Sequence, residues 1–242
     1  MSAPGIIVTG VSRGIGRAIA EELQSRGAAV VGAARNVADV PATASLLPVA
    51  ADVTQETGRK AILDAALARH GRIDSLVNNA GAAFRRAALD TALDDFRQVL
   101  EVNLLAAFTL CRAAHPHLKA SRGSVVNVSS VTGSRVLPAR IAYGTSKAAL
   151  DHLTRSLAVE WGPDGIRVNA VLPWFTRTEM VQQVLEDRDF EQKLIAATPL
   201  RRLAEPADVA RAVAFLALPD SDYITGQLLA VDGGYLAQGL PG

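Results

Sequence analysis

The sequence contains one cysteine, Cys111, among its 242 residues, and this excludes a disulfide bond within the chain. Because Cys111 lies in a segment with a helical pattern, we expect a small buried side chain and not a reactive thiol. Long apolar runs are also missing, since charged residues interrupt each run before the roughly 18 residues that a membrane-spanning helix needs. The formal net charge is only +1. The composition therefore gives no indication of binding to nucleic acid or to an anionic membrane.

Two further absences limit the expected function. Residues 1–4, before the first apolar run, have neither a basic stretch nor a cleavage site of small residues, so the pattern of a secretion signal is missing and we expect a cytoplasmic location. The histidines do not combine with cysteine or carboxylate partners into a metal-binding set, and no metal is expected. They are His70, His115, His117 and His152. Small molecules are the expected partners.

Short β-branched runs alternate with longer segments of helical period along the chain, which is typical of parallel strands joined by crossover helices. The predicted strands are residues 5–9, 28–33, 46–49, 73–78, 124–129, 166–171 and 227–231. The predicted helices are residues 15–25, 55–70, 93–120, 142–161 and 206–216, with a mostly helical excursion over residues 174–204. No repeat or flexible linker divides the sequence. We therefore predict one α/β domain over residues 1–242: a doubly wound Rossmann fold with a seven-stranded parallel sheet and helices on both faces.

A glycine-rich segment joins the first predicted strand to the first predicted helix. Glycines let the backbone turn sharply and approach a ligand, while the amides at a helix N-terminus attract phosphate. The residues that we expect to bind a pyrophosphate are Gly10, Ser12, Arg13, Gly14, Ile15 and Gly16. The alternative is a tight turn without a ligand, because the spacing Gly-x-x-x-Gly-x-Gly differs from the usual Gly-x-Gly-x-x-Gly.

The end of the second predicted strand concerns the choice of cofactor. Sheets that bind NAD place an acidic residue there, roughly 20 residues after the first glycine, to accept hydrogen bonds from the ribose. This sequence has Ala34 followed by Arg35. Arg35 and Arg13 offer two guanidinium groups for a 2′-phosphate, which favours NADP(H) over NAD(H). Taken singly, each arginine is equally consistent with a solvated surface charge.

Tyr143 and Lys147 are four residues apart in a predicted helix, so they share one helical face. A phenol with an ordinary pKa of about 10 is a poor acid–base catalyst near neutral pH, and a neighbouring ammonium group lowers that pKa. The pair therefore indicates proton chemistry. By itself it is weak evidence, because an exposed helix shows this spacing by chance.

Further motifs strengthen that interpretation. They are Asp52-Val53, Asn78-Asn79-Ala80-Gly81, Asn103, Ser130 and residues 173–178. These motifs, the glycine-rich segment and the Tyr143–Lys147 pair occur in the order and spacing of the short-chain dehydrogenase/reductase family. The chain resembles that family from residue 6 to residue 234. Residues 114–121, 170–175, 198–202 and 223–227 resemble its tropinone-reductase-like members. Trp174, where many relatives have glycine, matches the same subgroup.

The resemblance implies four catalytic residues. Ser130 would polarise a substrate carbonyl, and Tyr143 would protonate its oxygen as hydride arrives from the nicotinamide. Lys147 would bind the nicotinamide ribose and lower the pKa of Tyr143. Asn103 would support a water-linked proton path to Lys147, although an asparagine can also merely cap or kink a helix.

The resemblance also places residues along the cofactor. Asn79, Ala80 and Gly81 would pack on the adenosine side. Asp52 would meet the adenine, and Thr178 the carboxamide. Further contacts are expected from Val53, Tyr143, Lys147, Pro173 and Phe175. For Asp52 the alternative is a residue that starts a turn.

The substrate contacts that we expect besides Ser130 are Phe84, Leu137, Trp174 and Met180. They are apolar and partly aromatic, which favours a hydrophobic or cyclic ketone. A keto acid would need an arginine that faces inward. The candidates for that role are Arg135, Arg140 and Arg177, for which a surface position is the favoured alternative.

The sequence thus predicts an NADPH-dependent carbonyl reductase or secondary alcohol dehydrogenase. One alternative is a 3-oxoacyl-thioester reductase that receives its substrate from an acyl carrier protein. Another is a catalytically silent NADP-binding sensor. Relatives form tetramers through the helix that corresponds to residues 142–161, so a homotetramer, or a dimer, is expected.

Overall fold

The computed structural model describes residues 3–238, without the side chains of residues 183 and 184. The strands within these residues are β1 (Gly5–Thr9), β2 (Ala29–Ala34), β3 (Leu46–Ala50), β4 (Ser75–Asn78), β5 (Ser124–Val128), β6 (Arg167–Pro173) and β7 (Leu228–Val231). They form one parallel sheet of seven strands in the order β3-β2-β1-β4-β5-β6-β7. The predicted seven-stranded parallel sheet is confirmed.

Helices cover both faces of this sheet. The α-helices are α1 (Gly14–Ser25), α2 (Glu56–His70), α3 (Leu93–Leu100), α4 (Ala106–Ser121), α5 (Ile141–Trp161), α6 (Glu179–Leu185), α7 (Arg188–Ala196) and α8 (Pro206–Ala217). Ile6 and Val8 of β1 belong to the apolar cluster that contains buried residues of α1 and α8. Ile7, which points to the opposite face, belongs to the cluster with α2, α4 and α5. The strands are apolar on both sides because each side is covered.

The strand order reverses between β1 and β4, since β2 and β3 lie on one side of β1 and the later strands on the other. In open α/β sheets, ligands bind beyond the carboxyl ends of the strands at such a point. The segments that follow β1, β4 and β5 therefore lie where a ligand is expected to bind.

The predicted helix over residues 93–120 is wrong in one respect, because it is interrupted. A π-helical turn, Glu101–Leu105, separates α3 from α4. Asn103 lies in this turn with its side chain buried and hydrogen-bonded to residues outside the helix. A π-turn rotates the following residues relative to an ideal helix and is frequent at functional sites.

Other predicted bounds differ by a few residues. β4 begins at Ser75 and not at residue 73, since the Asp74 carboxylate accepts a hydrogen bond from the Gly5 amide (2.8 Å) outside the strand ladder. β6 continues to Pro173, paired with Val231 of β7. The excursion over residues 174–204 contains two helices, α6 and α7. Within residues 3–238, no helix is long and apolar enough to span a membrane.

Cys111 is fully buried in α4, as expected. Its Sγ accepts a hydrogen bond from Asn78 Nδ2 (3.2 Å). Burial raises the pKa of the thiol to about 12, so it stays protonated and behaves as a small packing residue.

Candidate active site

The glycine-rich segment forms a tight turn from β1 into α1. Gly10 and Gly14 have φ values of +75° and +56°, which strain any other residue. A Cβ at Gly16 would lie 2.1 Å from the Gly10 carbonyl oxygen, so the helix and the loop approach too closely for a side chain. Arg13 occupies the N-cap and makes no capping hydrogen bond within residues 3–238. The first amides of α1 are thus available for an anion.

Asn79 fastens the segment after β4 to this turn. Its Nδ2 donates hydrogen bonds to the carbonyl oxygens of Thr9 (2.8 Å) and Gly10 (3.2 Å). Thr9 Oγ1 in turn accepts hydrogen bonds from the amides of Asn79 and Ala80, both at 3.0 Å. The predicted residues 79–81 are therefore brought beside the predicted pyrophosphate site. Thr9 carries no predicted role, and only its place directly before Gly10 could have indicated one.

The predicted adenosine end lies at the ends of β2 and β3. Arg35 is exposed directly after β2. Asp52 is half-buried, and its Oδ1 accepts hydrogen bonds from Thr54 N (2.9 Å) and Oγ1 (2.7 Å). These hydrogen bonds hold the pKa of the Asp52 carboxyl below its usual value, and the positive charge of Arg35 lowers it further. Arg35 and Asp52 are thus neighbours, while Arg13 is exposed at the start of α1.

Three of the predicted catalytic side chains converge between β5 and α5. Ser130 follows β5 and is buried, and its hydroxyl is near the Tyr143 phenol in the first turn of α5. Lys147 follows one turn later and is also buried. Its Nζ donates a hydrogen bond to the Val128 carbonyl (2.8 Å) and lies 5.6 Å from the centre of the Tyr143 ring. The arrangement places two hydroxyl groups and one ammonium group together.

The electrostatics of Tyr143 differ from the expectation. Burial raises the pKa of Tyr143, although the nearby Ser130 hydroxyl and the positive charge of Arg140 both act to lower it. The predicted lowering of this pKa by Lys147 stays a prediction. The cation that acts on the phenol is Arg140, whereas the Lys147 ammonium group binds a backbone carbonyl.

Lys147 is itself perturbed by its surroundings. Burial lowers its pKa to about 8, against an opposing effect of the Asp151 carboxylate. Asp151 is buried one turn further along α5, and burial raises the pKa of its carboxyl. Lys147 therefore titrates close to physiological pH instead of far above it.

Within the described residues, the side chain of Asn103 forms no hydrogen bond with the side chain of Tyr143 or Lys147. Its Oδ1 accepts a hydrogen bond from Ala82 N (2.8 Å), and its Nδ2 donates to Ala82 O (3.0 Å) and Ser146 Oγ (2.9 Å). It thereby links the segment after β4 to α5. This is a supporting position, and the predicted water-linked proton path stays a prediction.

The predicted substrate residues differ in their burial. Phe84 and Leu137 are half-buried, and Leu137 packs against the apolar cluster that contains Trp174. The Trp174 ring is buried and stacked on Tyr235 at 3.6 Å between centroids, and its Nε1 donates to Thr198 Oγ1 (3.1 Å). Met180 in α6 is 55% exposed. Because Trp174 Nε1 already has a partner, only the ring of Trp174 is available to a substrate. A substrate contact at Trp174 stays a prediction.

The remaining predicted cofactor residues lie around the end of β6. Pro173 ends that strand, and Phe175 packs edge-on against Trp174, 4.9 Å between ring centroids. Thr178 directly precedes α6 and lies beside Gly14, since a Cβ built on Gly14 would be 3.1 Å from Thr178 Cγ2. Val53 and Ile15 are half-buried against the apolar clusters on the two faces. The end of β6 is thus close to the glycine turn.

Arg177 lines a cleft whose lining does not include Tyr143. An open cleft of about 620 Å³ is lined by residues of α1, α6 and the start of α8, and it borders Gly14, Thr178 and Arg177. Arg177 forms ion pairs with Glu191 (2.8 Å) and Glu205 (3.4 Å). These ion pairs favour the interpretation of Arg177 as a surface charge. Ser130, Tyr143 and Lys147 are not part of the cleft lining.

Comparisons with known proteins match nearly the whole chain. A family model described as Enoyl-(Acyl carrier protein) reductase matches residues 10–236. A tropinone reductase homolog of Arabidopsis thaliana is 42% identical over 96% of this chain and 92% of its own length. A solved short-chain type dehydrogenase/reductase from Mycobacterium marinum is 32% identical with a TM-score of 0.89, covering 98% of this chain and 97% of its own. The structure of ElxO with NADP bound is 32% identical with a TM-score of 0.90, covering 98% of this chain and 100% of its own.

The fold, the site and these similarities define the class. The chain belongs to the short-chain dehydrogenase/reductase family and is an oxidoreductase that acts on CH–OH or C=O groups. Within that family it is tropinone-reductase-like. The resemblance drawn from the sequence motifs is confirmed.

Proposed function

We propose that the protein is an NADPH-dependent carbonyl reductase, or in the reverse direction a secondary alcohol dehydrogenase, that acts on a hydrophobic or cyclic ketone. The observation that carries the proposal is the cluster of Ser130, Tyr143 and Lys147 at the end of β5, with Lys147 Nζ 5.6 Å from the Tyr143 ring centre. The proposed cofactor site and the proposed proton donor thus lie at the same edge of the sheet, beyond the carboxyl ends of the strands.

The residues of the chain fit a nicotinamide dinucleotide. The uncapped start of α1 offers amides to a pyrophosphate, and Gly16 leaves no room for a side chain between helix and loop. Arg13 and Arg35 would bind a 2′-phosphate, so we propose NADP(H) as the preferred cofactor. The bound NADP in ElxO, a relative of similar structure, supports a nicotinamide cofactor. When bound, this cofactor supplies or accepts the hydride.

The side chains of the protein perform the proton transfer. Ser130 donates a hydrogen bond to the substrate carbonyl oxygen, and Tyr143 gives that oxygen a proton. Because burial raises the pKa of Tyr143, the phenol stays protonated, which is the form that carbonyl reduction requires. Lys147 would bind the ribose hydroxyls of the cofactor. Asn103 holds the segment after β4 against α5 and so fixes the position of the helix that carries Tyr143 and Lys147.

The other contacts follow the same geometry. Asp52 and Val53 would lie at the adenine, residues 79–81 along the adenosine, and Pro173, Phe175 and Thr178 at the nicotinamide end. Residues 174–204 would cover the substrate, with Phe84, Leu137, Trp174 and Met180 as its apolar wall. A wall of this kind favours a ketone with a substantial apolar body.

A second candidate function is reduction of a 3-oxoacyl thioester presented by an acyl carrier protein. It is favoured by two exposed arginines in the segment after β4, Arg85 and Arg86, because basic groups attract an acidic carrier protein. A silent sensor is disfavoured, since Ser130, Tyr143 and Lys147 are all present. NADPH oxidation with cyclic ketones, diketones and acetoacetyl thioesters separates the two catalytic candidates by the ratio of their kcat/KM values.

Replacement of Tyr143 by phenylalanine tests the mechanism. Tyr143→Phe removes the transferable proton while it preserves the ring, so we expect kcat to fall by about 10²- to 10⁴-fold, the usual contribution of an acid catalyst. NADPH binding, measured by fluorescence titration, should persist. Tyr223→Phe is the matched control, because Tyr223 is 101% exposed and should leave turnover unchanged. Retained turnover in Tyr143→Phe would refute the proposed mechanism.

Location and assembly are also proposals. We expect a cytoplasmic enzyme and a homotetramer, or a dimer, that uses α5. Val159 on this helix is 79% exposed, and Ile141 at its start is 46% exposed. Apolar side chains of this size on a helix surface suit a contact between subunits. A monomeric mass in light scattering would contradict the expected assembly.

A further inference from the structure

Two loops bring a pair of arginines beside Tyr143. The Arg86 amide donates a hydrogen bond to the Ala139 carbonyl (3.0 Å), and Arg86 and Arg140 form an isolated parallel bridge. The segment after β4 and the segment before α5 therefore lie side by side. Arg85 stands next to this bridge, with its guanidinium carbon 5.8 Å above the centre of the Phe190 ring.

The Arg140 guanidinium group is close enough to the Tyr143 phenol and to Arg85 for the charges of both to act on it. Arg140 is half-buried three residues before Tyr143. Burial lowers the pKa of Arg140, the Tyr143 phenol opposes that effect, and the like charge of Arg85 lowers the pKa further. Arginine nevertheless remains protonated in proteins. Arg85 is exposed, whereas Arg140 is partly removed from water. A positive charge in that position, with a like charge near it, is stabilised when an anion binds.

That anion is not a side chain of the described part of the chain, in which neither Arg85 nor Arg140 forms an ion pair. The surrounding arginines differ in this respect. Arg86 pairs with Asp95, and Glu191, the residue after Phe190, pairs with Arg177. Arg140 occupies the N-cap position of α5, but within residues 3–238 its side chain makes no capping hydrogen bond. The guanidinium group is therefore not needed to cap the helix.

We propose that Arg140 and Arg85 bind a carboxylate of the substrate beside the carbonyl group that Ser130 and Tyr143 hold. The inference rests on the proposed reductase function and narrows its substrate to an oxo acid with an apolar body. A planar carboxylate suits two guanidinium groups because each presents parallel N–H donors. A carrier protein would instead meet exposed arginines, whereas Arg140 is half-buried next to the phenol. The arginine that faces the site is thus Arg140, and not Arg177.

The test compares one ketone with and without the charge. Benzoylformate and its methyl ester share the phenyl ketone and differ in the carboxylate. We expect Arg140→Gln to reduce the ratio of their kcat/KM values, acid over ester, by roughly 10- to 100-fold, the range for a hydrogen bond to a charged group. The ratio cancels any effect of Arg140 on the acidity of Tyr143, since both substrates use the same phenol. Arg140→Lys should restore part of the ratio, which a structural role would not do.

Arg135→Gln is the matched control, because Arg135 is an exposed arginine in the same loop. It should leave the ratio unchanged. Circular dichroism and NADPH titration establish that each variant is folded. If Arg140→Gln reduces both substrates with the wild-type ratio, the carboxylate site is refuted while the reductase function stands.

A binding measurement separates failure of the inference from failure of the function. Benzoylformate is titrated calorimetrically into the complex with NADP⁺, which has no hydride to transfer. Weaker binding to Arg140→Gln than to wild type supports the carboxylate site, and equal binding refutes it. If wild type oxidises NADPH with no ketone of the panel, the reductase function fails on that result alone.

Discussion

Asn103 Nδ2 donates a hydrogen bond to Ser146 Oγ (2.9 Å) across 43 residues of sequence. Ser146 Oγ in turn donates to the Tyr143 carbonyl oxygen (2.7 Å). The π-turn between α3 and α4 is therefore connected directly to the turn of α5 that carries Tyr143. Because Asn103 and Ser146 are buried, the connection is expected to matter for stability as well as for position.

Asn103→Ala should destabilise the protein through this connection. The change leaves Ser146 and both backbone groups of Ala82 without the Asn103 partner, at about 1–3 kcal/mol for each buried group that stays unpaired. The free energy of unfolding in urea measures the loss. Asn36→Ala is the control, since Asn36 is exposed and accepts one local hydrogen bond from the Ala38 amide. An equal, small loss in both variants would contradict the supporting role of Asn103.

Gly16→Ala should damage the cofactor turn. Its Cβ would meet the Gly10 carbonyl oxygen at 2.1 Å and Asn79 Nδ2 at 2.3 Å, so backbone must shift. We expect a loss of stability of about 1–3 kcal/mol, as for other overpacked sites, and weaker binding of NADPH in a fluorescence titration. Gly162→Ala is the matched control, because φ is −52° there and no atom lies within 4 Å of the added Cβ. Normal NADPH affinity in Gly16→Ala would show that the close approach is not required.

The pH dependence of NADPH capture should report Lys147. Its pKa is lowered to about 8, so the ammonium form is complete well below pH 8 and is lost as the pH rises through that value. We expect kcat/KM for NADPH, which reports ionisations of the free enzyme, to be level at neutral pH and to fall above about pH 8. Lys147→Arg retains the charge and should abolish this decline. A level profile to pH 10 in wild type would contradict the assignment.

Arg35→Asp should change the cofactor preference. The substitution removes a positive charge and adds an acceptor that suits free ribose hydroxyls but repels a 2′-phosphate. We expect the ratio of kcat/KM for NADPH over NADH to fall by at least about tenfold, since one charge-assisted hydrogen bond is worth that much. Arg35→Gln, which only removes the charge, should give a smaller fall. An unchanged ratio in Arg35→Asp would remove Arg35 from the phosphate site.

Much of the fold follows from local pattern. Buried strands such as β1 are continuous apolar runs because helices cover both faces, and this made the sheet predictable. The position of Ser130 at the site was predictable for a similar reason, since residues that follow parallel strands meet at one edge of the sheet. Tyr143 lies further along the same connection after β5, at the start of α5, and its role was predicted from the family resemblance.

Other features depend on partners that are distant in sequence. The π-turn at Asn103 arises from hydrogen bonds to Ala82 and Ser146, which no helical pattern reveals. The position of Arg140 depends on the pairing of its loop with the loop at Arg86. Burial of the phenol, which reverses the expected direction of the Tyr143 pKa, likewise requires the assembled structure.

The stack of Trp174 on Tyr235 gives the protein an optical signal of its own. A buried indole with a fixed neighbour emits at shorter wavelength than an exposed one, and Trp174 directly follows Pro173 at the proposed nicotinamide end of the site. Reduced nicotinamide absorbs in the region where tryptophan emits. Energy transfer from Trp174 would therefore make the docking and departure of NADPH visible in stopped-flow fluorescence without any added label.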